Sequence, residues 1–466
     1  MPLPDQIARN WERTWQRLSR TRLPIRPRAS IWCYSRPKNR DDPPQGWKLH
    51  ISATILSACR ILELVSPCLQ RHQALFKAPQ TLAELHKLNS GVEYGFSQVG
   101  KFITVYPRST ELAVQLASEL HQLTAHLPAP LVAYDEPWRA RSCIYYRYGQ
   151  FYWDQTISVR NQSVPAVVRP DGRLVPCCRA PGAAVPHWLV DPFRSHPSAT
   201  PRTASTPLET RYGNYEAIVQ RGRGGVYRAL DLSGGPPKMC ILKEGRRHGE
   251  TDWLGRDGIE RIRREAAFLK AVAPMCPGVP RVWKTFRANE CFYLVMELCA
   301  GRNLQGILAS RERITPRRTL TYCRAMASIM ADIHAAGWAW LDCKPGNFLC
   351  GPNYQLWALD FEGACRQETP DALRVVTPGY APPKWALANP QADDLFALGA
   401  CFAQLIARSS RPPVHLDATF ADGSKVPQAL LSLIHNLRNT DPRLRPSARQ
   451  AQYLLEKILD RWMIKH

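Results

Sequence analysis

The sequence predicts an α+β protein built from two successive folded units, and three observations predict it. Its 466 residues exceed what one hydrophobic core usually fills, because single cores stop growing at roughly 250–300 residues. Short runs in which apolar and polar residues alternate are interspersed with stretches of three-and-four apolar spacing, as expected of sheets with helices packed on them. Between the two units lies a Pro/Ser/Thr-rich segment, RSHPSATPRTASTPLET (194–210), whose composition suits a linker.

Composition narrows the class. No apolar run approaches the roughly 20 residues needed to span a bilayer, and the N-terminus lacks an apolar signal region, so a cytoplasmic location without membrane contact is the default expectation. Fifteen cysteines are scattered without paired C-x-x-C spacing, which predicts thiols in a reducing compartment rather than disulfides or a zinc site. On the same grounds the Cys177-Cys178 pair reads as incidental. The formal net charge of +23 is spread along the chain instead of gathered into a stripe. That favours attraction to phosphates or an acidic peptide over nucleic-acid binding.

Residues 1–45 read as an N-terminal extension. Ile7, Trp11, Trp15 and Leu18 recur at helical spacing, so the stretch either packs on the next unit or meets a partner peptide. The first unit, 46–193, starts at GWKLHISAT (46–54). There Lys48, His50 and Ser52 alternate with Trp47, Leu49 and Ile51, a strand pattern that points Lys48 and His50 to the same side. A helical stretch (55–72) leads to a strand carrying Lys77 (74–79), then to a strand opened by Lys101 (101–106), a helix (111–126) and an aromatic strand carrying Arg147 (143–153). Asp171-Gly172 marks a hairpin turn. Lys48, His50, Lys77, Lys101 and Arg147 all sit in apolar surroundings, where Lys is rarely placed without a partner. Each alone is compatible with the solvent face of a half-exposed strand. Together they predict a site for a dianion.

The second unit, 211–466, opens with GNYEAIVQRGRGGVYRALD (213–231), a hairpin pattern with Gly222, Gly224 and Gly225 at its tip. Missing side chains there would let backbone N–H groups approach phosphates. Lys243 follows in a strand (239–245). Glu265 lies on the apolar face of a helical stretch (258–272) and is favoured over Glu260 and Glu244 as its partner. In 337–362, GWAWLDCKPGNFLCGPNYQLWALDFE, the spacing of Asp342, Lys344, Asn347 and Asp360 suits phosphoryl transfer. One carboxylate orients a hydroxyl, the Lys steadies the moving phosphate, and the amide with the second carboxylate holds Mg²⁺.

These residues resemble those of protein kinases: Trp340 to Asn347 resembles the catalytic loop and Asp360-Phe361-Glu362 the metal-binding triplet. The resemblance implies a bilobal fold, ATP or another NTP as donor, a Lys243–Glu265 ion pair, and adenine contacts from backbone groups of Glu297 and Cys299. It also implies that Asp394 braces the catalytic loop. The chain departs from the pattern where Trp340-Leu341 replaces His-Arg, Glu362 replaces Gly, and Pro383 replaces an acid whose partner would be Arg445. The first departure argues against control by a phosphorylated activation loop, and the second predicts a less mobile triplet.

GWKLHISAT, FKAP, GKFITVYP, YYRYGQF and RPDGRLVP, in this order, resemble the N-terminal lyase domain of class III and IV lanthipeptide synthetases. Such a lyase eliminates phosphate from phosphoserine or phosphothreonine and is followed by a kinase domain. The resemblance implies chemistry by Lys48, His50 and Lys77. A Lys crowded by cations can act as base, His50 can protonate the leaving oxygen, Lys48 can stabilise the oxyanion, and Lys101 and Arg147 suit phosphate binding. The expected activity is dehydration of Ser/Thr in a ribosomal precursor peptide with a leader. No zinc-binding cyclase pattern follows the kinase-like unit, so a separate cyclase or other tailoring enzyme is the expected partner for ring closure, and a homodimer is compatible. Two other readings stay open: an effector of the same chemistry acting on host phosphoproteins, and a pseudokinase scaffold that binds a peptide without transferring phosphate.

Overall fold

A computed structural model describes residues 4–152, 155–177, 179–194, 208, 211–310, 312–368, 377–383 and 389–465. The first unit is a six-stranded sheet in the order β1-β3-β4-β2-β6-β5. Its strands are β1 (Trp32–Tyr34), β2 (Gln45–Ile51), β3 (Leu75–Pro79), β4 (Ile103–Tyr106), β5 (Glu136–Pro137) and β6 (Ile144–Gln150). Every pairing in it is antiparallel, so it fits the expected α+β class. Leu49, Ile51, Phe76, Ile103, Val105 and Ile144 point to one side, where α2 (Ala58–Arg71) and α4 (Thr110–Thr124) cover them in a continuous core. Alternation then sends the polar residues of the same strands to the opposite side.

The stretch before residue 46 is not a separate extension. Helix α1 (Pro4–Arg22) buries Trp15 completely against this core, with Trp11 and Leu18 packed alongside, and β1 joins the sheet edge by pairing with β3. The Trp15 indole N–H donates to the Gln80 carbonyl at 3.1 Å. Helix α3 (Leu82–Ser90) is capped by Thr81. A small sheet of β7 (Thr156–Val159), β8 (Gln162–Val168) and β9 (Leu174–Pro176) follows, with the predicted Asp171-Gly172 turn between its last two strands.

The second unit has two lobes. Five antiparallel strands run in the order β10-β11-β12-β14-β13, namely β10 (Tyr212–Arg221), β11 (Gly224–Asp231), β12 (Lys238–Arg246), β13 (Val282–Ala288) and β14 (Cys291–Glu297). Helix α5 (Gly258–Val272), capped by Asp257, lies against them. The second lobe is helical: α6 (Leu304–Ala309), α7 (Pro316–Ala335), α8 (Pro390–Ala407), α9 (Gln428–Leu437) and α10 (Ala448–Lys465). One core runs from α5 through α7 and α8 to α10. No helix among the described residues is long and apolar enough to cross a membrane.

Candidate functional site

Two polar centres stand out, one in each unit. In the first, strand register does the assembly. Lys48 faces Arg147 across β2 and β6, while His50 and Lys77 each face Thr104 from opposite sides of β4. Directly opposed residues in an antiparallel pair share a face, so four strands deliver these side chains to one cleft of about 650 Å³. Trp32, Tyr106, Gln150, Cys177 and Arg179 complete much of its lining. Lys101 lies just before β4, where the preceding Gly100 takes φ +78° beside the Leu131 carbonyl. A Cβ at Gly100 would lie 2.5 Å from that oxygen, so only glycine fits this turn.

Asp135 organises the cluster. Its side chain is fully buried, accepts a hydrogen bond from His50 Nδ1, and lies 3.3 Å from Lys101 Nζ and 3.8 Å from an Arg147 nitrogen. Burial pushes its carboxyl upward, but Lys101, His50 and Arg147 outweigh that and hold it below the usual range. The lysines move the other way. Burial lowers Lys48 to about 7, with Lys77, Arg147 and Arg179 adding repulsion. Burial, Arg179 and Lys101 lower Lys77 to about 8. Burial likewise lowers Lys101 to about 8, against the pull of Asp135. Burial also depresses the His50 imidazole against the pull of Asp135, and the carboxylate beside Nδ1 favours the proton on that nitrogen. Lys77 Nζ sits 4.1 Å from the centroid of the Trp32 ring, a contact that compensates a partly desolvated ammonium.

All five cations and bases expected from the first unit's strands therefore converge. Sequence reasoning missed Asp135, Arg179 and Cys177. Asp135 lies in LVAYDEPW, which has no periodicity, directly after Tyr134 at φ +64°. The Cys177 thiol lies in the cleft, 4.0 Å from the Arg147 guanidinium. Cys178 lies outside the described residues.

The second centre lies between the lobes. Lys243 Nζ is 2.6 Å from Glu265 Oε1 and 3.7 Å from Asp360, and the Phe361 N–H donates to the same Glu265 oxygen at 3.2 Å. Burial opposes the Lys243 charge, yet Glu265 and Asp360 keep its value raised. The two alternative acids are engaged elsewhere: Glu244 accepts from Arg246 and the Tyr227 hydroxyl, and Glu260 from Arg264. Asp342 is held by Lys344 Nζ at 2.8 Å and Asn347 Nδ2 at 2.7 Å, and burial raises its value. The Thr377 hydroxyl lies 3.3 Å from Lys344 Nζ.

The loop itself is braced from below. Asp394, fully buried, accepts the N–H groups of Trp340 (2.7 Å) and Leu341 (2.6 Å) and a bond from His334. Trp340 has its own use: its indole N–H donates to the Asp360 carbonyl at 2.9 Å and its ring packs on Phe361 and Phe348. Arg445 donates to the carbonyls of Ala392 and Asn439 and lies 3.7 Å from Asp393, while its buried Nη2 has no hydrogen-bond partner among the described residues. Glu297 ends β14, and Cys299 follows as a buried residue.

The glycines at the β10–β11 tip meet protein backbone. Gly222 and Arg223 form a two-residue turn between paired Arg221 and Gly224, and the Gly222 N–H donates to the Ser90 carbonyl of the first unit at 2.9 Å. A Cβ on Gly222 would sit 1.6 Å from the Asn89 carbonyl oxygen, and one on Gly224 1.6 Å from that of Glu244. Close approach of protein backbone requires glycine at both positions.

Asp360 and Asn347 offer hard oxygen donors of the kind Mg²⁺ prefers. With Asn347 Nδ2 on Asp342, the amide oxygen is its remaining donor, and the Asp360 side chain keeps about a third of its surface exposed. The donor set fits the ion.

Comparison with known proteins agrees with this geometry. Residues 22–205 match the RamC N-terminal domain and residues 222–455 the protein kinase domain. A probable SapB synthase of Streptomyces coelicolor is 29% identical over 428 residues, covering 87% of this chain and 45% of that protein. Serine/threonine-protein kinase F of Synechocystis is 25% identical over 262 residues, covering 51% of this chain and 52% of that protein. The chain thus spans about half the length of the curated relatives it matches. With a kinase-domain match across half of its residues, the chain belongs to the protein kinase family and carries a RamC N-terminal domain ahead of the kinase domain.

Proposed function

We propose that the chain is a two-centre dehydratase that phosphorylates Ser/Thr of a precursor peptide and then eliminates the phosphate. The observation that carries this reading is the cleft in which Lys48, His50, Lys77, Lys101 and Arg147 meet around Asp135, in the same polypeptide as a Lys243–Glu265 kinase pair. The likeness to a probable SapB synthase supports a peptide substrate. In the kinase centre Asp342 orients the hydroxyl, Lys243 positions the donor phosphates, and Lys344 steadies the transferred group. Mg²⁺ held by Asn347 and Asp360 would neutralise charge on those phosphates.

In the first unit, Arg147, Lys101 and Arg179 bind the phosphoester. Lys77 Nζ takes the α-proton, the electron pair forms the Cα–Cβ double bond, and the Cβ–O bond breaks toward phosphate. Lys48 stabilises the enolate-like oxygen. An arriving phosphate dianion opposes the burial that keeps His50 neutral. Asp135 supports the added charge, and Nε2–H of the imidazolium donates to the leaving oxygen. Because Lys48 is depressed further than Lys77, the reverse assignment of base is the rival.

Mass spectrometry of a precursor peptide incubated with ATP and Mg²⁺ tests this. The expected result is loss of one water per modified residue, with phosphopeptide trapped by Lys77→Ala and no modification by Asp360→Asn. Accumulation of phosphopeptide by the unaltered protein would overturn the lyase assignment. Exchange of the α-proton with deuterated water in a slow substrate separates the two bases: it disappears in Lys77→Ala and persists in Lys48→Ala if Lys77 is the base.

A further inference from the structure

The β10–β11 turn has two residues, and the N–H of the first, Gly222, donates to the Ser90 carbonyl. What the turn presents to the kinase centre is the Arg223 side chain. Its NH2 group lies 3.1 Å from Glu362 Oε1 and its NH1 group 3.6 Å from Glu250 Oε1. Glu362 is two residues beyond Asp360, in the triplet that borders the Lys243–Glu265 pair. The Arg223 backbone is fixed as well: the Arg246 N–H donates to its carbonyl at 2.8 Å, and a Cβ on Gly258 would lie 1.8 Å from that oxygen.

The first unit holds the other side of the turn. Asn89 and Ser90, at the end of α3, are both buried. Asn89 Nδ2 donates to the Ala53 carbonyl at 2.9 Å, and Asn89 Oδ1 accepts from the Gly100 N–H at 3.3 Å. The surface that receives Gly222 is therefore tied to strand β2 on one side and to the Lys101 turn on the other. Arg246, close to the turn, places its guanidinium 5.0 Å from the Phe96 ring of the same unit. A guanidinium so aimed, with two carboxylates as its partners, suits exchange onto phosphate oxygens, which accept its fork bidentately.

We propose that Arg223 is a ligand of the nucleotide phosphates, and that the RamC N-terminal domain aims it by docking Gly222 on the Asn89–Ser90 end of α3. This rests on the kinase reading above. The turn then contributes a side-chain contact to the phosphates, and the nucleotide site is complete only when the two units are docked.

Calorimetric titration of the full chain with ADP, Mg²⁺-ADP and adenosine tests it. Arg223→Ala is expected to weaken ADP and Mg²⁺-ADP about tenfold, the worth of one charge-assisted contact, and to leave adenosine unchanged, with Arg223→Lys recovering part of the loss. Gly222→Val, which cannot dock, is expected to weaken ADP in the same direction. Elimination from a pre-phosphorylated peptide reads the other centre and checks that these variants fold. In a Glu362→Gln background the Arg223→Ala loss should persist; its disappearance would mean that Arg223 acts only through Glu362 and would overturn the proposal. Equal ADP affinity in Arg223→Ala and the unaltered chain overturns it too. An unaltered chain that eliminates phosphate but binds no nucleotide at all overturns the kinase reading, and this proposal with it.

Discussion

At the scale of single residues, charge placement decides the chemistry of the first unit. In the proposed elimination Lys77 suits the role of base because burial, Arg179 and Lys101 bring it to about 8 from an ordinary value of 10.5, so an appreciable fraction is neutral near pH 7. The elimination rate constant kcat/KM, which reports the free enzyme, should therefore rise about tenfold per pH unit below about 7, flatten between about 7 and 8 and fall above 8 as Lys48 and Lys101 lose their protons, and Lys77→Ala should abolish the rise. The linkage has the matching sign. A lysine depressed in the folded state binds fewer protons than in the unfolded chain between about 8 and 10.5, so its contribution to stability grows with pH across that window and is least below it. Asp135 is the residue to remove next. Asp135→Asn leaves Lys101 and Arg147 without their buried counter-charge and His50 without the acceptor that sets its tautomer. It should cost about 3 kcal/mol in urea unfolding and slow elimination about a hundredfold, leaving phosphorylation in place. Asp135 was not legible in the sequence because its importance is tertiary: nothing in LVAYDEPW shows that a turn at Tyr134 points the next side chain under His50.

At the scale of elements, what was legible is what periodicity controls. The alternation in β2 forces Lys48 and His50 to one face, and similar short runs fix β3, β4 and β6, so a shared cleft follows once those strands pair. The Lys243–Glu265 pair was legible for the same reason, because α5 has one apolar face and Glu265 borders it. Helix α1 was half legible: its spacing gave the helix, but only the core shows that Trp15 belongs to the first unit. The contacts of the β10–β11 glycines with the Asn89 and Glu244 carbonyls were not legible, because close backbone approach and phosphate binding demand the same residue. The catalytic loop adds strain that no pattern displays. Leu341 and Asp360 both take φ +65°, a region costly for residues with a side chain, so other contacts must hold them. Asp394 does this through two backbone N–H groups, and Trp340 through the Asp360 carbonyl. Asp394→Ala should therefore cost about 2–3 kcal/mol by orphaning both donors and lower phosphorylation sharply, while elimination from a pre-phosphorylated peptide stays near its original rate. Trp340→Phe, which removes the indole N–H and leaves a gap beside Phe348 and Phe361, should cost about 2 kcal/mol and slow phosphorylation less. Thermal unfolding together with the two separate rate assays checks both.

At the scale of the whole molecule, the two centres are joined by a docked interface rather than by the linker alone. The Gly222 turn rests on α3, Arg141 pairs with Glu290 at 2.7 Å, and Arg246 lies over Phe96. Each phosphorylation makes the peptide more acidic, and the chain carries a net charge of +23, so electrostatic attraction favours recapture of the intermediate over its escape. Screening weakens that attraction, the Debye length falling from about 10 Å at 0.1 M to about 3 Å at 1 M salt. Raising the salt should therefore release more phosphopeptide into solution during turnover, at salt levels that leave each isolated step active. A mixture of Asp360→Asn and Lys77→Ala chains, each lacking one step, gives the complementary measurement. The phosphopeptide made by the Lys77→Ala chain can reach the intact cleft of the Asp360→Asn chain only by diffusion, so dehydration should return, more slowly than in the unaltered protein and in proportion to the concentration of the Asp360→Asn chain. Mass spectrometry over time separates the outcomes. Dehydrated product without any free phosphopeptide would show that the intermediate passes between docked chains, whereas no dehydrated product despite abundant phosphopeptide would show that elimination requires a peptide still held by the kinase centre of the same chain.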